Sequence, residues 1–247
     1  MFNRKRRTSL SEQAYQKIRN LIISLHLKPG SQLNECDLGR ELSIGRTPVR
    51  EALLRLVAER FLTSVPGRGF FVHEVTIGDV KALFEAIIIL GRATVALAAR
   101  RIDPKSLMQL EKINRNLKTA MSQREFLQIT LFNSKFHRTI NKASSNDFLI
   151  SSIHNLESQY HRLAYLCFSE ETETNDLTEH FAKVIADHAQ LLECLKKRDE
   201  QGAVETMTRH IFLFHARVSK YFYPPMQALD TAHGPYYMNA ERRSAII

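Results

Sequence analysis

Tryptophan is absent from this 247-residue chain, and glycine (9), proline (7) and cysteine (3) are scarce. So few breakers exclude a collagen-like or low-complexity chain. Cys36, Cys167 and Cys194 are odd in number and have no CxxC spacing. That pattern fits reduced thiols in a cytoplasm better than a disulfide framework or a zinc knuckle. Long apolar runs are also missing. The longest, Ala86 to Leu90, falls far short of the roughly 20 residues a bilayer requires, so no membrane partner is expected. The basic start, Arg4-Lys5-Arg6-Arg7, is followed by no apolar stretch of the kind a secretory signal carries.

What remains is an ordinary globular composition, 44% hydrophobic and 25% charged, long enough for one large core or two smaller ones. The net charge is +9 and unevenly spread. Residues 1–75 hold 13 Lys and Arg against 7 Asp and Glu, while the rest of the chain holds 22 against 19. A concentrated basic segment suits a polyanion, because each neutralised phosphate releases counterions; a solvated basic face fits equally well on charge alone.

Helical periodicity runs through nearly all of the chain. Tyr15, Ile18, Ile22 and Leu25 mark a first helix that Leu27-Lys28-Pro29-Gly30 stops, and Leu38 and Leu42 mark a short second one over 35–42. Thr47 and Pro48 read as N-cap and first residue of a third helix, whose buried stripe is Val49, Leu53 and Leu56. Arg46, Arg50 and Arg55 then point outward, Arg55 and Arg60 as plain surface charge. From Phe61 to Val75 two β-rich runs flank Pro66-Gly67-Arg68-Gly69 and predict a hairpin. Three short helices closed by a hairpin make a winged helix-turn-helix. In such a unit Arg46, Thr47 and Arg50 would reach DNA from the third helix, and Gly67 and Arg68 from the wing.

Residues 76–225 read as an all-α helical bundle. Helices are expected over 76–101, from Asp103-Pro104, and over roughly 124–142, 146–168, 176–198 and 200–223, the last capped by Asp199 and ended by Tyr223-Pro224-Pro225. The fold class is therefore mainly α, a winged helix-turn-helix followed by a helical bundle. The expected divisions are a basic arm (1–9), a DNA-binding domain (10–75), an all-helical domain (76–225) and a loose tail (226–247).

Several polar residues fall where this bundle needs apolar ones. Asn133 and His137 lie four apart on the stripe of Phe126, Ile129, Phe136 and Ile140; His188 follows Val184 and Ile185; His210 lies between Met207 and Phe214. Three helices thus each turn an imidazole inward. Such a set could hold zinc or another divalent ion, or be hydrogen-bonded core histidines, and spacing alone favours the second. His154, His161, His180 and His215 are further candidates. A metal-dependent hydrolase is a third reading, weakened because no carboxylate lies at helical reach of His137.

The run Ile44-Gly45-Arg46-Thr47-Pro48-Val49-Arg50-Glu51-Ala52-Leu53, followed by a glycine-containing wing, closely resembles the N-terminal domain of the GntR superfamily of bacterial transcription regulators. Phe136-His137, His188 with Leu191-Leu192, and Arg198-Asp199 with Met207 and His210 resemble, in order, the FCD-type effector domain of its FadR branch. The resemblance covers about residues 10–223. It implies a cytoplasmic homodimer on a palindromic double-stranded operator, more often a repressor, responding to a small carboxylic acid. It also implies a divalent metal at Asn133, His137, His188 and His210, a donor set that suits zinc or nickel. The family usually has Asp where this chain has Asn133, Ser where it has Gly45, Arg where it has Cys36, and an Arg and a Glu where it has Ile87 and Gly91.

Overall fold

The computed structural model describes residues 8–169 and 175–222. Most of the basic arm, the Tyr223-Pro224-Pro225 stop and the tail expected over 226–247 lie outside them. The elements run α1 (Leu10–Ile23), β1 (Gln32–Leu33), α2 (Glu35–Leu42), α3 (Arg46–Ala58), β2 (Leu62–Val65), β3 (Gly69–Val72), α4 (Ile77–Arg101), α5 (Pro104–Ser122), α6 (Phe126–Ala143), α7 (Asp147–Ser169), α8 (Asn175–Lys197) and α9 (Glu200–Phe222).

Two hydrophobic clusters form. The first is built from α1–α3 and the strands, with Ile18, Val49, Leu53, Leu56 and Phe61 wholly sealed. Burying each such side chain contributes about 1.5–3 kcal/mol. The hairpin is antiparallel with Val65 opposite Gly69, and β1, a short strand the sequence reading missed, pairs with β3 through Leu33 and Phe70. The sheet order is β1-β3-β2. Gly67 (φ 71°) and Gly69 (φ 89°) both sit in left-handed backbone, which is why the wing tip is glycine-rich.

The second cluster fills the bundle from Val75 to Phe222. Asp103 and Asp199 cap α5 and α9, accepting from the amides of Ser106 and Gly202 at 2.8 and 2.9 Å. By length and composition α4 could cross a membrane, yet it packs along α9, α7 and α6 as a helix of the bundle. At Gly91 it approaches α9 so closely that a Cβ would meet Ile211 Cδ1 at 3.1 Å.

Helix α7 joins the two units. Arg19 donates to Ser158 Oγ (2.8 Å), Gln159 to the Glu59 carbonyl (2.7 Å) and the fully buried Arg162 to the His73 carbonyl (2.6 Å). Tyr165 packs on the first core, and Leu25 of the first unit on the second core. The opposite face of α7 carries Tyr160, His161 and Ala164 into the bundle interior.

Candidate DNA-contacting face and metal centre

Helix α3 begins at Arg46, and its N-cap is Gly45 rather than Thr47. Thr47 and Pro48 occupy the first turn, where amides have no intrahelical acceptor and proline forfeits nothing. Arg46, Thr47, Arg50, Gly67 and Arg68 are all exposed. Arg46 Nε and Arg50 Nη1 bind the two oxygens of one carboxylate, Glu35, at 3.0 and 3.1 Å. Glu35 opens α2 and is largely shielded, so it holds both guanidiniums side by side. Sequence reasoning did not single it out; an acid just after the Asn34 cap is an ordinary first-turn residue. At the wing, Arg68 lies over the Phe71 ring at 5.5 Å, and Gln32 donates to its carbonyl. Arg55 is more than surface charge: it stacks on Tyr15 at 3.6 Å and bridges Glu12 and Glu59, bracing α3 on α1.

In the bundle, α6, α8 and α9 bring His137, His188 and His210 together, each with a nitrogen within 4.8 Å of the others'. His188 and His210 are buried and His137 partly so. His137 Nε2 and His210 Nε2 lie 3.2 Å apart. With metal–nitrogen bonds of roughly 2.0–2.1 Å, two imidazoles at a tetrahedral angle span about 3.3 Å, so this pair suits a shared ion. The His188 ring stacks on Phe136 (3.9 Å, 6° between planes) and sets its Nδ1 3.3 Å from Asn114 Oδ1. Its Nε2 is then sealed from solvent with no hydrogen-bond partner among the described residues. A buried polar nitrogen left bare is costly, and a metal would satisfy it. His210 turns Nδ1 towards Asp187 Oδ2 at 3.6 Å, and Arg209 holds that carboxylate from outside at 2.7 Å. Burial raises the Asp187 pKa, but His210 and Arg209 outweigh it and keep the group ionised. Asn114 orients one ring by a hydrogen bond, the support that metal-bound histidines ordinarily have, and Asp187 offers a charge to a second, whose Nδ1 has no hydrogen-bond partner among the described residues. Neither was foreseen, because the first comes from α5 and the second, though adjacent to His188, serves His210.

Burial holds His137 and His188 well below the usual imidazole range, with neighbouring imidazoles adding to the effect. Both rings are therefore neutral at pH 7 and have lone pairs to offer. The side chain of Asn133, one turn before His137, makes no hydrogen bond to any described residue, and it shares with His210 the wall of a small chamber of about 30 Å³. A second chamber, of about 40 Å³, is lined by His137, His210, Asn141, Glu157, Tyr160 and His161, with Ile87 and Gly91 on the α4 side. The carboxylate that α6 lacks thus comes from α7, but Glu157 is engaged by Asn141 (2.6 Å) and Arg138 (3.3 Å). His161 and His180 are buried against these chambers, whereas His154 lies half-exposed near Glu157 and His215 meets the Phe84 ring edge-on.

Residues 10–72 match the model of the bacterial regulatory proteins, gntR family, and residues 82–212 match the FCD domain. The chain is 28% identical to the transcriptional regulator McbR of Escherichia coli K12, covering 86% of this chain and 96% of that one. It is 25% identical to the Nta operon transcriptional regulator of Aminobacter aminovorans, covering 74% and 83%. A more distant relative in Escherichia coli K12, 22% identical, is the transcriptional repressor RspR. The solved structure of E. coli McbR/YncC superposes with a TM-score of 0.77 over 87% of this chain and 99% of that one, at 26% identity. These families and relatives are transcription regulators and not enzymes, which overturns the hydrolase reading of the three histidines. The chain belongs to the GntR family of bacterial regulatory proteins, a transcription regulator that joins a winged helix-turn-helix DNA-binding domain to an FCD effector-binding domain.

Proposed function

We propose that this regulator is a cytoplasmic, homodimeric repressor that reads a palindromic operator and senses a small carboxylate at a metal held by His137, His188 and His210, with Asn133 as a weaker oxygen donor. The observation that carries the reading is the bare, buried Nε2 of His188 facing two other imidazoles. We take residues 10–75 as the DNA-binding domain and 76–225 as the sensing and dimerisation domain. Three imidazoles with an amide oxygen suit zinc or nickel. Among the described residues no lysine and no arginine lines the two chambers beside the cluster. A metal would supply the positive charge a carboxylate needs there. Cavities of 30–40 Å³ hold about one water, so a metabolite must part the helices to enter. Because α7 lines both chambers and grips the DNA-binding unit, parting them would move the recognition helices.

Arg46, Thr47, Arg50, Gly67 and Arg68 form the DNA-contacting set in this reading, with Glu35 positioning the two arginines of α3. Selection of duplexes from a random pool should enrich an inverted repeat with half-sites about one helical turn apart or a multiple of it. Enrichment of an asymmetric site, or of none, would reject the palindromic reading. On the selected duplex, Arg50→Ala should weaken binding roughly 10- to 100-fold in anisotropy titrations, the worth of one good bidentate base contact. Unchanged affinity removes Arg50 from the contact set.

The second copy is assigned to the open face of α4. Only 39% of its most apolar stretch is buried, and Ile89 is 67% exposed on that helix. An apolar surface of this kind favours association. Light scattering on a sizing column should give a dimer for the wild type and a monomer for Ile89→Asp at micromolar concentration; a dimeric variant places the interface elsewhere.

A further inference from the structure

Between α1 of the DNA-binding unit and α5–α6 of the bundle lies a cleft of about 670 Å³, far larger than the chambers beside the histidines. Neither the DNA-contacting set nor the histidine cluster lines it. Its walls are strongly cationic: Arg19 comes from α1, Arg101 from the end of α4, and Lys135, Arg138 and Lys142 from α6. The three α6 cations fall at i, i+3 and i+7 and so share one helical face. Among the described residues that line it, Asp103 is the only carboxylate, and its oxygens are engaged with Ser106 at the start of α5.

Arg138 is balanced by Glu157, but Arg19, Arg101, Lys135 and Lys142 pair with no carboxylate among the described residues. Arg101 instead donates to the carbonyls of Ser144 and Ser145. Arg19 is only 9% exposed, and its contacting partners, the Ser158 hydroxyl and the Phe61 ring 5.7 Å away, carry no countercharge; Glu59, the acid whose charge reaches it, is engaged by Arg55. Burial lowers its guanidinium pKa, the sign of a cation held out of water. A desolvated cation beside several others is stabilised strongly by an anion and poorly by water.

We infer that this interdomain cleft is a second ligand site, which takes a small anion bearing two or more charges, a polycarboxylate or a phosphate ester. Arg19 would meet it from the DNA-binding unit, and Lys135 and Lys142 from the bundle, with Gln16, Asn20 and Ser134 as neutral hydrogen-bonding groups. An anion bridging α1 and α6 ties the two units together and holds α3, which packs on α1, in one orientation. His161, neutral through burial, lines this cleft and both histidine chambers, so the two sites share a wall.

The test uses the full chain in thermal melts at constant ionic strength, with tricarballylate as the polycarboxylate, glycerol 2-phosphate as the phosphate ester and acetate as the monovalent control. The wild type should show a saturable rise of about 5 °C with at least one of the first two and none with acetate. The larger response distinguishes carboxylate from phosphate. Lys135→Glu/Lys142→Glu, both at exposed positions, should lose the rise, and the milder Lys135→Gln/Lys142→Gln should weaken it at least tenfold in concentration. His188→Ala should keep it, which separates this site from the metal reading. A rise equal to that of acetate overturns the proposal. So does a rise that survives charge reversal but vanishes in His188→Ala. A charge reversal that lowers duplex affinity in anion-free buffer as much as Arg50→Ala would assign the cleft to the DNA interface instead.

Discussion

His188→Ala is expected to abolish metal binding. Wild-type protein prepared without a histidine tag or chelator should contain about one equivalent of a divalent ion by elemental analysis, and the variant under a tenth of that. The expectation rests on how the His188 ring is held. Phe136 stacks on it, Asn114 takes Nδ1, and Nε2 is left facing His137 and His210. Binding to the folded state alone stabilises by RT ln(1 + [L]/Kd), about 4 kcal/mol at a thousandfold excess over Kd. Zinc or nickel should therefore raise the wild-type melting temperature and leave that of the variant unmoved. Asn133→Asp should tighten binding by adding a charged oxygen, and Asn133→Ala should weaken it if the amide is a ligand. A metal-free wild type that also ignores added zinc and nickel would make the three imidazoles core histidines.

The second large effect is acid lability of the metal-free protein. His180 is buried at the chamber wall, and desolvation, helped by His210, lowers its pKa to about 4. The unfolded value is near 6.5. Between these two values the unfolded chain holds a proton that the folded chain does not, so falling pH favours unfolding. The stability is fully present above pH 6.5 and lost progressively down to pH 4, about 3 kcal/mol from this residue alone. Burial shifts His137, His161 and His188 the same way. Urea unfolding of chelator-treated protein should show its midpoint falling steeply below pH 6.5, and His180→Gln should flatten part of that slope. A midpoint unchanged from pH 7.5 to pH 5 would contradict the burial of these rings. Bound metal should shift the fall to lower pH until protons displace it.

Both predictions depend on features of different legibility. Local chemistry was readable along the chain: Asp103 and Asp199 cap the helices expected of them, and Val49, Leu53 and Leu56 form the sealed stripe under the outward Arg46 and Arg50. One cap was misplaced. Thr47 looked like the N-cap because Pro48 followed it, yet proline is tolerated throughout a first turn, and Gly45 supplied the extended backbone that the cap position needs. The two-residue strand β1 was invisible because so short a segment has no period of its own and exists only by pairing with β3.

By itself, then, the sequence determined which faces are buried, where most helices begin, and that three imidazoles point inward. The 3.6-residue period is a property of each helix alone and is written in each helix separately. Only the tertiary structure decided which inward faces meet. It brought His137, His188 and His210 to one point from three helices, placed Asp187 behind His210 rather than beside its neighbour His188, and set Glu35 between two arginines from another helix. It also aligned the cations of α6 with Arg19 of α1 across a cleft that neither helix encodes. Such juxtapositions depend on how helices cross and on where backbones can approach, as α4 approaches α9 at Gly91. That is fixed by the packing of whole faces against one another, which no spacing within a single helix records.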